Sequence, residues 1–334
     1  MDKQLPVLKR SAKVVRRGAD SVAIEYIGQE VKLDGVAATL FGKMLPFLDG
    51  NTSTGVIAER IAEPPRRVQS LSEQLGKTGV LAFKDASGAL ERISGEEFYE
   101  LHRKYVNSWL QPIYDHPFWE RVVSGKATRA QVLGFAFEKY HYIEGAYEHM
   151  AIAAANATPE MMPHLARHFI EEYNHGDIYR RGLRSLFSDD LILRSQPLPS
   201  TRALVNFLSE AAARNSFGYY AGNELLQMTE NTSDEKESGS INEFYDALRK
   251  HYPYTDKIID AFIAHTNADQ ELGHENVFLE MCQSIPPMTP AEVDDALNIV
   301  RSMAEHLYLF MDGIDTFYAR FPTVPRLPSD LLSE

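Results

Sequence analysis

The chain has 334 residues, 44% apolar and 24% charged, with a net charge of −13 and one cysteine, Cys282. This excludes a disordered chain, an internal disulfide and any four-thiolate zinc or iron–sulfur site. It also argues against nucleic acid as the main partner, because gripping phosphates needs a basic face. At roughly 150 residues per domain the length fits about two domains. No apolar run reaches the ~18 residues of a membrane span. The charged stretch Met1–Arg17 has no apolar core of a secretory signal, so the expected setting is cytoplasmic, with no membrane partner.

The first 92 residues read as mixed α/β. Residues 21–27 alternate apolar and polar, as a half-buried strand does, and 31–33 pair back across a turn at Gly28-Gln29-Glu30. Residues 35–48 are apolar at helical spacing. Thr54 is the expected N-cap of a short helix through Ile61. Pro65 opens the next helix, with Val68, Leu71 and Leu75 on one stripe, and 80–83 form a last strand. This order predicts a small winged helix over 1–92.

After Gly95 the apolar positions recur at three and four residues. Helices are expected near 96–110, 127–154, 159–187, 200–230, 240–250, 253–283 and 290–318, a mainly α bundle over 96–320 with a tail at 321–334. His116, in Asp115-His116-Pro117-Phe118, precedes a break and reads as a cap.

Several polar residues fall on helices that should carry the core. Glu172 and His175 are three apart and share a face, and Glu271 and His274 repeat the spacing. Glu224 lies among small and apolar residues, and His265 precedes Glu271 by under two turns. One Glu-x-x-His pair is more often a solvated face. Two such pairs plus an inward Glu, on three helices, offer three carboxylates and two or three imidazoles. That donor set suits an iron(II) that activates oxygen. His141 and Glu144, with Glu138, make a further cluster that reads as pocket lining or surface. Cys282 reads as a small buried hydrophobe.

Residues 102–318 resemble the heme-oxygenase-like superfamily that includes the thiaminase-II (TenA) proteins and pyrroloquinoline-quinone synthase (PqqC). The likeness lies in His116–Gly134, Tyr140-His141-Tyr142, Pro159 and Ile170-Glu-Glu-Tyr-Asn-His175. The diiron oxidase and oxygenase branch implies Glu172, His175, Glu224, Glu271 and His274 as metal ligands. The first His of that branch's third run falls at Asn267, and His265 would reach in only through a local helix bulge. The resemblance implies Fe(II), one or two per chain, with O2 as co-substrate, and a homodimer. Residues 5–92 resemble PqqD-like winged-helix modules through Leu45–Ala58, Val68, Leu71, Leu75 and Gly79–Ala82. Such modules bind a leader or carrier peptide as an added strand.

The expected function is an oxygen-dependent non-haem iron oxidase or oxygenase in a biosynthetic pathway. Its substrate would be a small amine, an amino acid or a peptide-linked group. The alternatives are a cofactor-independent oxidase of the PqqC kind, a thiaminase-like hydrolase lacking a good nucleophile, and a non-catalytic peptide-binding adaptor. In the adaptor the inward acids would pair with Arg167, Arg180 or Arg181.

Overall fold

The computed structural model describes residues 5–9, 12–16, 21–26, 29–84, 92–230, 244–271 and 277–328; of the side chains at 226–230 and 267–271 only the backbone is described. The chain divides into two compact units, Met1–Ser108 with Pro286–Val293, and Trp109–Ile285 with Asp294–Glu334.

The described residues of the first unit form two small antiparallel sheets, three short helices and most of a fourth, longer one. Strand β1 (Leu5–Leu8) pairs with β5 (Leu81–Lys84), and β2 (Lys13–Arg16), β3 (Ser21–Tyr26) and β4 (Gln29–Asp34) form a meander. In the meander Val22 faces Leu33 and Ile24 faces Val31. Helix α1 (Val36–Met44) runs into a 3-10 turn, Leu45–Phe47, and is followed by α2 (Thr54–Arg60) and α3 (Pro65–Lys77). Val68, Leu71 and Leu75 are buried, as their spacing predicts. Strands β1 and β2 lie in the charged stretch and were not expected. The cap of α2 also differs: Ser53, not Thr54, accepts the amide of Val56, at 3.3 Å. Thr54 is instead the first helical residue and is buried. Gly50 (φ 74°) sits where a side chain would strike Val7 and Lys84, so the turn after the 3-10 segment can lie against both strands of the small sheet.

Helix α4 (Gly95–Tyr114) leads into the second unit, which is helical: α5 (Pro117–Val123), α6 (Arg129–Glu144), α7 (Ala146–Ala155), α8 (Met162–Glu172), α9 (Gly176–Leu183), α10 (Asp189–Arg194), α11 (Pro199–Arg214), α12 (Ser216–Glu230), helical residues 244–251 (α13), α14 (Asp256–Glu271), α15 (Val277–Ser284) and α16 (Pro290–Arg320). Four of the expected long helices are thus broken. The stretch 127–154 divides at Gly145, 159–187 at Tyr173–His175 and 200–230 at Asn215, whose backbone turns extended (φ −151°, ψ 91°) and whose side chain accepts the amide of Gly218. The stretch 253–283 opens on a 3-10 turn, Pro253–Thr255, and holds α14 and α15. Helices α5 and α10 were not expected. His116 is the cap of α5, its Nδ1 accepting the amide of Phe118 at 3.2 Å.

Helix α6 is the middle of this unit. Residues Ala130–Glu138 are all buried, so it has no polar face. Thr128 and Gln131 form a capping box at its start. The Gln131 amide also donates to Asp315 Oδ1 at 2.7 Å, and Arg121 pairs with the same carboxylate. Glu138 is fully buried and accepts from the backbone of Leu198 (2.9 Å) and the hydroxyls of Thr201 (2.5 Å) and Tyr318 (2.7 Å). It therefore holds three segments together. Among the described residues no helix is long and apolar enough to cross a membrane.

Candidate metal centre

Two close approaches build the site. The chain stays in the right-handed helical region through Tyr173 and His175, but its hydrogen bonds tighten: His175 N–H donates to Glu172 O (3.1 Å), Asp177 to Asn174 and Ile178 to His175. These are three-residue closures, a 3-10 turn between α8 and α9. Glu172 ends one helix and His175 precedes the next. Gly176 follows, and a side chain there would run into Glu144 of α6.

The second approach is that of α9 to α14. At Gly182 an added carbon would lie 2.8 Å from Ala261 Cβ and 3.1 Å from the backbone of Ile258 and Lys257. With no side chain at that crossing the two helices pack closely. Stepping back along α9 leads to His175, and stepping forward along α14 leads to His265. Packing at Gly182 thus brings the two imidazoles together.

The result is a buried cluster of one carboxylate and two imidazoles. His175 Nδ1 lies 2.6 Å from Glu172 Oε2, and the rings of His175 and His265 are 4.8 Å apart at 74°. One ligand atom from each of Glu172, His175 and His265 lies within 4.8 Å of the others. All three residues are less than a tenth exposed. The donor set fits a divalent transition metal: two imidazoles and one carboxylate with positions left over is the arrangement used by non-haem iron(II). The buried ring of Tyr179 packs beside His265, 5.2 Å away.

Glu224 is buried on α12 but is not one of the three. Its charge raises both the Tyr220 phenol and the Cys282 thiol, although burial is the larger cause in each. Glu172 also raises Tyr220, so that phenol stands in the field of both carboxylates. The Glu271 side chain and all of His274 lie outside the described residues, as does the Asn267 side chain. His265 needs no bulge to meet Glu172 and His175, because α14 runs as α-helix from Asp256 to Glu271. The irregular backbone lies instead at the Glu172–His175 pair. Arg167 faces Glu171 and Glu280, and Arg180 faces Asp177.

Tyr219 and Tyr220 are buried core tyrosines, as such residues on a core helix usually are, and each meets a histidine, His149 and His168, that the sequence motifs do not single out. Tyr219, fully buried, meets His149 Nδ1 at 2.6 Å. Burial and then the Glu172 charge raise its phenol. Burial holds His149 neutral, with a pKa pushed down to about 3. The His168 ring packs on Tyr220 at 5.3 Å. His168 lies one helical turn before Glu172, which places both on one face, and that spacing was the available signal.

Comparison with known proteins accounts for this helical unit. A profile of the TENA/THI-4/PQQC family matches residues 102–313. The chain belongs to the TENA/THI-4/PQQC family. A solved domain of unknown function with a heme oxygenase-like fold, from Shewanella denitrificans OS217, superposes with a TM-score of 0.54 at 22% identity. The match covers 67% of this chain and 94% of that one. A TenA homologue from P. horikoshii OT3 gives a TM-score of 0.50 at 14% identity over 66% of this chain and 98% of its own. Comparison with curated proteins gives no match. The bundle of this TENA/THI-4/PQQC family member is therefore of the heme-oxygenase-like kind.

Proposed function

We propose that this protein is an oxygen-dependent non-haem iron oxidase or oxygenase acting on a small amine, an amino acid or a peptide-linked group. The observation that carries the reading is the buried meeting of Glu172, His175 and His265. One carboxylate and two imidazoles, all buried and with ligand atoms within 4.8 Å of one another, are the donor set that suits a non-haem iron(II). Bound Fe(II) would supply the binding and reduction of O2. The chain's own part is to fix the three ligands, the carboxylate at a helix end and the imidazoles across one helix crossing. The buried ring of Tyr179, itself against Phe262, packs beside His265 and keeps water from it on that side. The Tyr219–His149 contact fixes the neutral phenol in the field of Glu172. A stoichiometry of one iron per chain fits the three described ligands, and two per chain would bring in Glu224, Glu271 and His274. The sheets of residues 5–84 extend the reading: as a PqqD-like module, the first unit would take a leader peptide along an edge strand such as β2.

The test is titration of the purified chain with ferrous iron without oxygen, followed by mixing with O2 under optical detection. Saturable iron uptake with a transient absorption band is the expected result. Uptake should fall at least about tenfold in His265→Ala and Glu172→Ala, as expected when one of few ligands is removed. Full iron occupancy in both variants would reject the assignment, and turnover surviving exhaustive chelation would point to a metal-free oxidase.

A further inference from the structure

A pocket of about 180 Å³ opens elsewhere in the helical unit, between the end of α6, the start of α7 and the first turns of α11. Its lining is divided by charge. His141, Glu144 and Glu148 stand on the α6–α7 side; Arg202 stands on α11, beside the apolar Val205.

The protonation of His141 follows from its neighbour. Ser195 has one hydroxyl proton, and it goes to the carbonyl of Ile192, 2.5 Å away. The 3.0 Å contact between Ser195 Oγ and His141 Nε2 must then be donated by the imidazole. Burial, with the charge of Arg202, pushes the His141 pKa down to about 4, so the ring is neutral near pH 7. A neutral ring with its proton on Nε2 has a bare acceptor at Nδ1.

One side of the pocket thus carries three acceptor groups, the His141 ring, Glu144 and Glu148, the last of which also accepts from the Tyr147 hydroxyl at 3.1 Å, and the other side a guanidinium. An ammonium group has three N–H donors and no acceptor, and a guanidinium pairs with a carboxylate in a fork. We propose that this pocket binds a small zwitterion of the free α-amino-acid type. The ammonium lies toward His141, Glu144 and Glu148, the carboxylate lies on Arg202, and the side chain rests along Val205 and Pro197. The pocket uses none of the three iron ligands, although Glu144 also lies against Gly176, the residue after His175, and the proposal does not depend on their reading.

The test is calorimetric titration of the full chain, in a chelator, with each of the twenty common L-amino acids. At least one is expected to bind saturably at one site per chain. For the tightest, the N-acetyl and carboxamide derivatives should each lose about tenfold or more, and so should the Arg202→Gln variant, because each removes a charge-assisted contact. Arg202 is exposed, so its replacement leaves the fold standing. His265→Ala should bind like the parent. No saturable binding by any of the twenty would overturn the proposal, as would binding that Arg202→Gln leaves unchanged. Binding lost in His265→Ala but kept in Arg202→Gln would place the ligand at the metal centre and overturn it equally.

Discussion

Glu138 and Glu172 are both buried carboxylates on core helices, yet they do opposite work. Glu138 receives three donors at 2.5–2.9 Å from separate parts of the chain, which answers its charge with fixed hydrogen bonds. Glu172 has an imidazole at 2.6 Å and a second close by, which a metal can replace. Residue type does not separate the two, because each is a buried Glu on a helix, α6 wholly buried and α8 amphipathic. What separates them is the partner, and the partners lie far off in sequence. Glu138→Ala leaves the Thr201 and Tyr318 hydroxyls without their acceptor. It should lower the unfolding free energy by about 3 kcal/mol in urea titrations, the cost of stranding buried polar groups. Glu172→Ala should cost less stability than it costs iron affinity. An equal loss of both would make Glu172 a structural acid like Glu138.

At the scale of elements, the site depends on a glycine with no chemistry of its own. Gly182→Ala puts a carbon 2.8 Å from Ala261 and 3.1 Å from the α14 backbone. The helices must part by some tenths of an ångström. The expected cost is about 1–3 kcal/mol, with a fall in ferrous affinity because His175 and His265 separate. Melting curves with and without iron measure both. Parent-like iron affinity in Gly182→Ala would show that the crossing does not set the imidazole spacing. The helical class and the shared face of Glu172 and His175 were legible because periodicity reports which residues lie on one side of a helix. The breaks were less so. Tyr173–His175 contains no Gly or Pro and keeps helical backbone angles, so nothing in the residue types announces the tightened turn. Asn215 ends α11 by capping α12, a role that its neighbours hide among good helix formers. The family resemblance puts the register at Asn267, two residues beyond His265. What brings His265 to Glu172 and His175 is the approach of α9, which turns on Gly182, eighty-three residues away. Strands β1 and β2 are four residues each and lie among lysines and arginines, too short for alternation to show.

For the whole molecule, buried neutral histidines tie stability to pH. His149 and His141 titrate near 3 and 4 in the folded chain, against an ordinary 6.5. Between those values the unfolded chain holds more protons than the folded one. Their contribution is complete above about pH 6.5 and falls as the pH drops, by about 1.4 kcal/mol per unit for each ring. Urea titrations at pH 7 and pH 5 should show the loss, and His149→Gln should show a shallower slope. Equal slopes in parent and variant would mean that His149 is already protonated in the fold. Ferrous iron at a hundred times its dissociation constant should add about 2.7 kcal/mol, and none in His265→Ala. The bonds of Glu138 bear also on how the chain is made. Tyr318 is 180 residues downstream of the carboxylate that it serves. A ribosome delivers α6 long before α16, so every nascent chain that stops short of Tyr318 carries that acid with one oxygen unanswered. The last core helix is thus a condition for closing the unit, and chains truncated before it should be cut by proteases that spare the finished protein.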